Sequence, residues 1–324
     1  MSIELISKHR GKLMAVAMLW LAVYHSLFPI NSKLLSFVLV TCGYGGVDLF
    51  LFLSSFGLYF AYKKEYCFKN FIKRRLLRIL PYSIPICFIL MFLYNRPLLD
   101  TLLDSVGLSF LFRHNLTCWF TSFILLMYIL TPIYLKIFNK KPVTVTIVGV
   151  AFVFVLCLLV NNPTFSYIYF RTAVFLLGFY FAYLYDKGTE YKTHMSLITI
   201  LVMIIGWILM YYLYHNFGND VPHVYPLLLI TPGLLLLASC LIDKISVLHK
   251  PLEFIGKYTY QFYLIHIEIV PFLYRHYEQL YIPNVGFDWL INFAGILVAF
   301  VLAIVYKELI DKLVNVIINK QEKV

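Results

Sequence analysis

Apolar runs long enough to cross a lipid bilayer recur along the whole chain, and no other feature restricts its fold so severely. They fall at roughly 13–30, 46–62, 79–94, 119–137, 143–160, 167–185, 196–214, 224–242, 258–274 and 288–306. Hydrocarbon offers a backbone no hydrogen-bond partners, so each run must satisfy its own amides as a helix. A membrane β-barrel would instead show short segments of alternating polarity. The predicted fold class is all-α, a polytopic transmembrane helical bundle of about ten spans. Composition bears this out, since 61% of residues are hydrophobic and only 13% are charged, whereas soluble domains are roughly half apolar and a quarter charged.

The net charge of +11 would suggest a nucleic-acid partner in a soluble protein. In a membrane protein it follows from the accumulation of Lys and Arg in cytoplasmic loops, and no nucleic acid is expected. With the N-terminus inside, twenty-two of the 27 Lys and Arg lie in inner segments; Lys33, Arg96, Arg113 and Arg275 lie outside and Arg171 lies within a span. This asymmetry predicts that both termini are cytoplasmic. The chain reads as one integral-membrane domain, 1–324, with a basic cytoplasmic segment at 63–78 and a short cytoplasmic tail at 307–324. Within the basic segment, Phe68, Phe71, Ile72, Leu76 and Ile79 share one face of a helix. The partly apolar stretch 96–115 is expected along the outer interface. The first apolar run ends in Phe28-Pro29-Ile30 without a small-residue cleavage site, so it is expected to remain as the first helix. Six scattered cysteines, Cys42, Cys67, Cys87, Cys118, Cys157 and Cys240, show neither metal-ligand spacing nor a disulfide framework, and no metal is expected.

Ionisable residues at membrane depth are costly and call for a reason. Counted at about 1.5 Å per residue from the nearest inner Lys, His25, Asp48 and Arg171 rise about 20, 22 and 24 Å, and His266 and Glu268 about 14 and 17 Å. The levels of the first three match, as expected for one polar chamber. Each also has a plain reading. His25 can hydrogen-bond a neighbouring carbonyl, Asp48 suits a helix start, Arg171 and Glu268 can form a structural ion pair, and Lys73, Arg74, Arg75 and Arg78 can anchor the inner margin. Chemically, the set supports group transfer. A His backed by a carboxylate is a candidate general base, an Arg at its level can hold an oxyanion, and the basic cluster can bind the phosphates of an activated donor. A proton-coupled transporter would also place His, Asp and Arg in its spans.

Five segments carry a resemblance: LMAVAMLWLAVYHS (13–26), GGVDLFLFLSSFGLYFAYKK (45–64), FIKRRLLRILPY (71–82), WFTSFILLMYILTPIY (119–134) and FIGKYTYQFYLIH (254–266). Together they resemble the membrane-bound acyltransferase 3 family, whose members O-acylate bacterial surface glycans. The resemblance implies a multi-pass protein of the bacterial plasma (inner) membrane. Its donor would be cytoplasmic acyl-CoA, usually acetyl-CoA, and its acceptor a hydroxyl of a cell-surface polysaccharide or glycolipid, with glycan-assembly proteins as possible partners. It implies His25 and Asp48 as catalytic residues and Arg74, Arg75 and Arg78, with Lys73 beside them, as the donor-binding basic motif. Met14 stands where the family commonly has Arg, and Arg10, one turn earlier on the same face, is the candidate substitute. Ser55 replaces the Gly of the second motif, and Gln261 stands where a carboxylate is frequent in the fifth. No appended esterase-like domain is expected. Arg171, Trp119, His266, Glu268 and Ser54 complete the candidate substrate-binding set. Trp119 is suited to stacking on a sugar, while Ser54 and Ser55 are not expected to act as nucleophiles because mid-span Ser usually packs or bonds its own backbone. The rival readings are a transporter or flippase for a lipid-linked sugar, against which no inverted repeat or matching broken helices are found, and a non-catalytic membrane partner of glycan assembly.

Overall fold

The structure is a computed structural model that describes residues 2–26, 28–65, 67–110, 119–160, 162–189, 193–218, 224–278 and 285–321, leaving out the side chains of 163, 270–278, 285–287 and 317–321. Arg113, Cys118, Lys192, residues 111–115 of the expected outer loop, the last three residues of the tail and the side chain of Arg275 lie outside that description.

Among the described residues every regular element is helical, and the chain is an all-α polytopic bundle. The helices are α1 (Ile3–Lys8), α2 (Arg10–His25), α3 (Lys33–Ser36), α4 (Gly46–Lys64), α5 (Phe68–Tyr94), α6 (Leu98–Ser105), α7 (Trp119–Phe138), α8 (Pro142–Val160), α9 (Pro163–Tyr169), α10 (Arg171–Asp186), α11 (Thr193–Phe217), α12 (Leu227–Lys244), α13 (His249–Gly256), α14 (Thr259–Glu278) and α15 (Val285–Gln321). Eight helical stretches among them are long and apolar enough to cross a membrane. The other two expected spans fall on α2, which has only 16 residues, and on α14, which carries Gln261, His266 and Glu268. The former is about 24 Å long, short of the ~30 Å hydrocarbon core.

The basic segment expected at 63–78 and the span expected at 79–94 largely share one helix, since α5 runs unbroken for 27 residues with Pro81 and Pro85 inside it. On its inward face Phe71 and Ile79 are buried, while Phe68 at the start is exposed. The expected outer loop contains α6, whose polar and apolar faces are inverted relative to a soluble helix. Leu98, Leu99 and Leu102 face outward, whereas Thr101, Asp104 and Ser105 are buried. That polarity suits a helix lying against lipid.

The chain divides into two compact units, the first formed by Met1–Phe60, Ile137–Thr259 and Pro283–Asn292, the second by Ala61–Lys136, Tyr260–Ile282 and Phe293–Val324. In the first unit, α2 packs on α13, α11 on α12, and α10 on α8 and α12. Two glycines set the position of α4. A side chain on Gly46 would run into the Ala17 carbonyl of α2, and one on Gly178 of α10 would run into Ser55 and the Phe52 carbonyl of α4. Membrane helices lack a hydrophobic drive toward one another and gain contact area through such close approaches. Ser55, which stands in place of the glycine of the second motif, is wholly buried and donates its hydroxyl to Phe52 O at 2.9 Å. In the second unit α5 packs on α6, and Ser83 of α5 donates to Ser105 O at 3.1 Å.

Because both backbone and side-chain atoms of α4 occupy the space beside Gly178, Gly178→Ala is expected to lower stability by about 1–3 kcal/mol, the usual cost of overpacking. Unfolding in mixed SDS–detergent micelles measures it; an unchanged midpoint would contradict the close helix approach.

Candidate functional site

The deepest charges of the first unit belong to Asp48 and Arg171, both fully buried and paired with each other. Asp48 is the third residue of α4, where a carboxylate complements the positive end of the helix dipole. Arg171 opens α10 directly after the break at Phe170. Its Nε donates to Tyr167 O at 3.1 Å and its Nη1 to Tyr44 O at 3.3 Å. The same guanidinium lies 4.9 Å from the Tyr167 ring centre and 5.9 Å from that of Tyr44, within cation–π range. The cluster joins one carboxylate and one guanidinium at the starts of α4 and α10. A guanidinium held in a fixed place inside a buried site is a group that can stabilise an oxyanion forming there.

His25 is the last residue of α2 and is half-buried. It hydrogen-bonds the Leu21 carbonyl, and its ring meets Tyr24 edge-on at 5.0 Å. Tyr24 contacts Tyr44 at 5.8 Å, and Tyr44 contacts Tyr167 at 5.6 Å. An aromatic chain therefore runs from His25 to the ion pair. A carbonyl accepts only from a protonated ring nitrogen, so the neutral imidazole bonded to Leu21 carries its lone pair on the other nitrogen. The sequence reading placed Asp48 behind His25. In the structure the carboxylate is held by Arg171, and the Leu21 carbonyl engages the imidazole. The alternative pairing of Arg171 with Glu268 is replaced too, because Glu268 lies 3.9 Å from Arg96.

The remaining candidates divide between the units. In the first, Arg10 reaches α4, donating from Nη1 to Leu53 O at 3.3 Å and covering Gly57; Ser54 is half-buried on the same helix. In the second, Lys73, Arg74 and Arg78 are exposed along the start of α5, and Arg75 is half-buried. Arg74 pairs with Glu65 at 3.2 Å and Arg75 covers the Phe71 ring at 5.6 Å. Trp119 begins α7, half-buried against Phe120 and Phe123. His266 is wholly buried, with Nδ1 2.9 Å from Phe262 O.

Sequence reasoning passed over the tyrosines Tyr24, Tyr44 and Tyr167, which look like ordinary span residues. It also missed the cluster in which Arg96 lies 3.9 Å from both Asp104 and Glu268. The signal for Asp104 was an acid recurring within leucines, as in LLDTLLDS. Burial pushes the Asp104 carboxyl up from the usual range, opposed by the Ser109 hydroxyl and the Arg96 guanidinium. Among the described residues no group of three or more His, Cys, Asp or Glu has the arrangement of a metal site.

Residues 13–308, nearly the whole chain, match the model of the acyltransferase 3 family, described as an acyltransferase domain. The chain belongs to the acyltransferase 3 family. It is thus a multi-pass membrane acyltransferase, and the match takes in the His25, Asp48 and Arg171 cluster together with the basic start of α5. Searches of curated proteins and of solved structures returned no match.

Removing one member of the buried ion pair strands the other, so Asp48→Asn or Arg171→Met is expected to cost about 3–5 kcal/mol. The double variant Asp48→Leu/Arg171→Met should recover most of that loss in the same unfolding assay while leaving acyl transfer abolished. Recovery of both stability and activity would show that the pair is only a structural tie.

Proposed function

We propose that this acyltransferase moves an acyl group, acetyl in the first instance, from cytoplasmic acyl-CoA to a hydroxyl of a cell-surface polysaccharide or glycolipid. The observation that carries the reading is the buried Asp48–Arg171 cluster, joined through Tyr44 and Tyr24 to an imidazole whose tautomer a backbone carbonyl selects. In this mechanism His25 takes the proton of the acceptor hydroxyl as general base. The oxygen attacks the thioester carbonyl, and Arg171 stabilises the resulting oxyanion. The carbon–sulfur bond then breaks, and the imidazolium returns its proton to the departing CoA thiolate. Asp48 acts as a positioning residue that fixes Arg171. A direct transfer requires no acyl-enzyme, which accords with Ser55 donating to its own helix.

Lys73, Arg74, Arg75 and Arg78 are the residues proposed to bind the donor phosphates, since guanidinium groups match phosphate oxygens in pairs. Arg10, lodged against α4, is proposed to position that helix and not to contact the donor. The bacterial plasma membrane is the proposed location, as the family resemblance implies, and the Lys and Arg distribution supports both termini in the cytoplasm.

Purified protein supplied with labelled acetyl-CoA and crude envelope glycans should form labelled ester. His25→Ala should reduce the rate by roughly 10²–10⁴-fold, the usual contribution of a general base. Sugar translocation without ester formation would favour the transporter reading. CoA should protect Arg74 and Arg75 from guanidine-specific modification better than dephospho-CoA does, and equal protection would contradict the proposed donor site.

A further inference from the structure

The helix that carries the proposed donor arginines has a weak joint in its middle. Pro81 and Pro85 lie inside α5. Neither has an N–H to give the carbonyl one turn back, so the bonds to Leu77 O and Pro81 O are missing from the helical ladder. Helices bend at such places. Lys73, Arg74, Arg75 and Arg78 all lie on one side of this joint, and the rest of the span lies on the other. The direction in which the basic half points is therefore not set by α5 alone.

Tyr82 stands between the two prolines, and α15 holds it at both ends. Its hydroxyl donates to the Asp311 carboxylate, and its carbonyl accepts from the Tyr306 hydroxyl at 2.5 Å. The Tyr82 and Tyr306 rings meet edge-on at 6.4 Å. Asp311 also accepts from Lys307, one turn earlier on α15. On the opposite side of the joint, Ser83 donates to Ser105 O of α6. All of these residues belong to the second unit. The tie shares a face with the donor arginines, because Arg75, Arg78 and Tyr82 follow one another at helical spacings of three and four residues. The buried Tyr128 of α7 lies within electrostatic reach of Arg75 and Arg78. A swing at the prolines would carry both guanidinium groups away from that neighbour. Asp311 lies beyond residue 308, where the family match ends, so the match assigns it no role.

We propose that Tyr82 and Asp311, with Tyr306, aim the basic half of α5 and so act as positioning residues for the phosphates of the acyl-CoA donor. The proposal rests on the donor-site reading above and adds to it a part for α15. A hydroxyl bonded to a carboxylate makes a stronger tie than one bonded to a neutral acceptor. Without that tie the arginines spend less time in the donor-binding direction, and the apparent affinity falls with the fraction of time lost. Once the donor is seated, the transfer step proceeds as before.

The test measures binding of tritiated CoA and dephospho-CoA to the full chain in nanodiscs, alongside acetyl transfer to crude envelope glycans. Tyr82→Phe and Asp311→Leu should each weaken CoA binding on the order of tenfold and raise KM for acetyl-CoA by the same factor, with kcat held within about twofold. The preference for CoA over dephospho-CoA should shrink in step, since phosphate contacts are the ones lost. Asp311→Asn keeps an oxygen that accepts from the tyrosine and should retain most of the affinity. A tie that only holds two helices together would lower the unfolding midpoint while leaving KM and the CoA preference unchanged, and that result would overturn the proposal. If Asp311→Leu does not fold, the milder Tyr306→Phe must show the same shift in KM, and an unchanged KM there would overturn it as well. CoA binding lost in Arg75→Gln but intact in Tyr82→Phe would remove the positioning role and keep the donor site. CoA binding indifferent to both would remove the donor site and the positioning role together. Tyr82-dependent CoA binding without acyl transfer would overturn the proposed activity and leave the positioning role standing.

Discussion

A carboxylate and a guanidinium, both out of contact with solvent, can persist inside a membrane protein only if each has the other. That requirement ties the start of α4 to the start of α10, and much of the first unit follows from it. The pair fixes the Gly43–Gly45 turn, because Arg171 bonds the Tyr44 carbonyl. Tyr44 in turn meets Tyr24, the neighbour of His25. A buried ion pair contributes registry more dependably than net stability, and registry is what an imidazole at the end of a short helix needs.

Much of this was legible in the sequence because bilayer physics leaves few alternatives. The all-α class and most spans followed from apolar run length, and His25, Asp48 and Arg171 stood out because charge at that depth is rare. The pairing did not follow. Counting residues along helices gives heights but not azimuths, so Arg171 was weighed against Glu268 when its partner is Asp48. The tyrosines gave no signal either, since Tyr in a span is ordinary until its neighbours are known. Charge separates the basic stretch from the apolar run after residue 78, but charge does not end a helix, and α5 continues through both.

The second unit shows how acids and bases are managed away from the ion pair. Arg96 lies between Asp104 and Glu268, each at the long limit of an ion pair, and Ser109 donates to Asp104. At the other end of α5, Arg74 reaches Glu65 and remains largely exposed. Burial distinguishes these arginines chemically. A guanidinium in water exchanges partners readily, which suits a phosphate site, whereas one enclosed among aromatic rings keeps a fixed geometry.

The inverted polarity of α6 makes its seating conditional on its surroundings. Its outward leucines have no reason to stay outward in water, and the contacts of its inward face with α5 and Arg96 are polar ones with which water competes. Hydrocarbon adds to these contacts in keeping this short helix in place. Extraction into a poorly matched detergent should therefore loosen α6 before the spanning helices, and a preparation can lose this part of the molecule while its circular dichroism still reports an intact bundle.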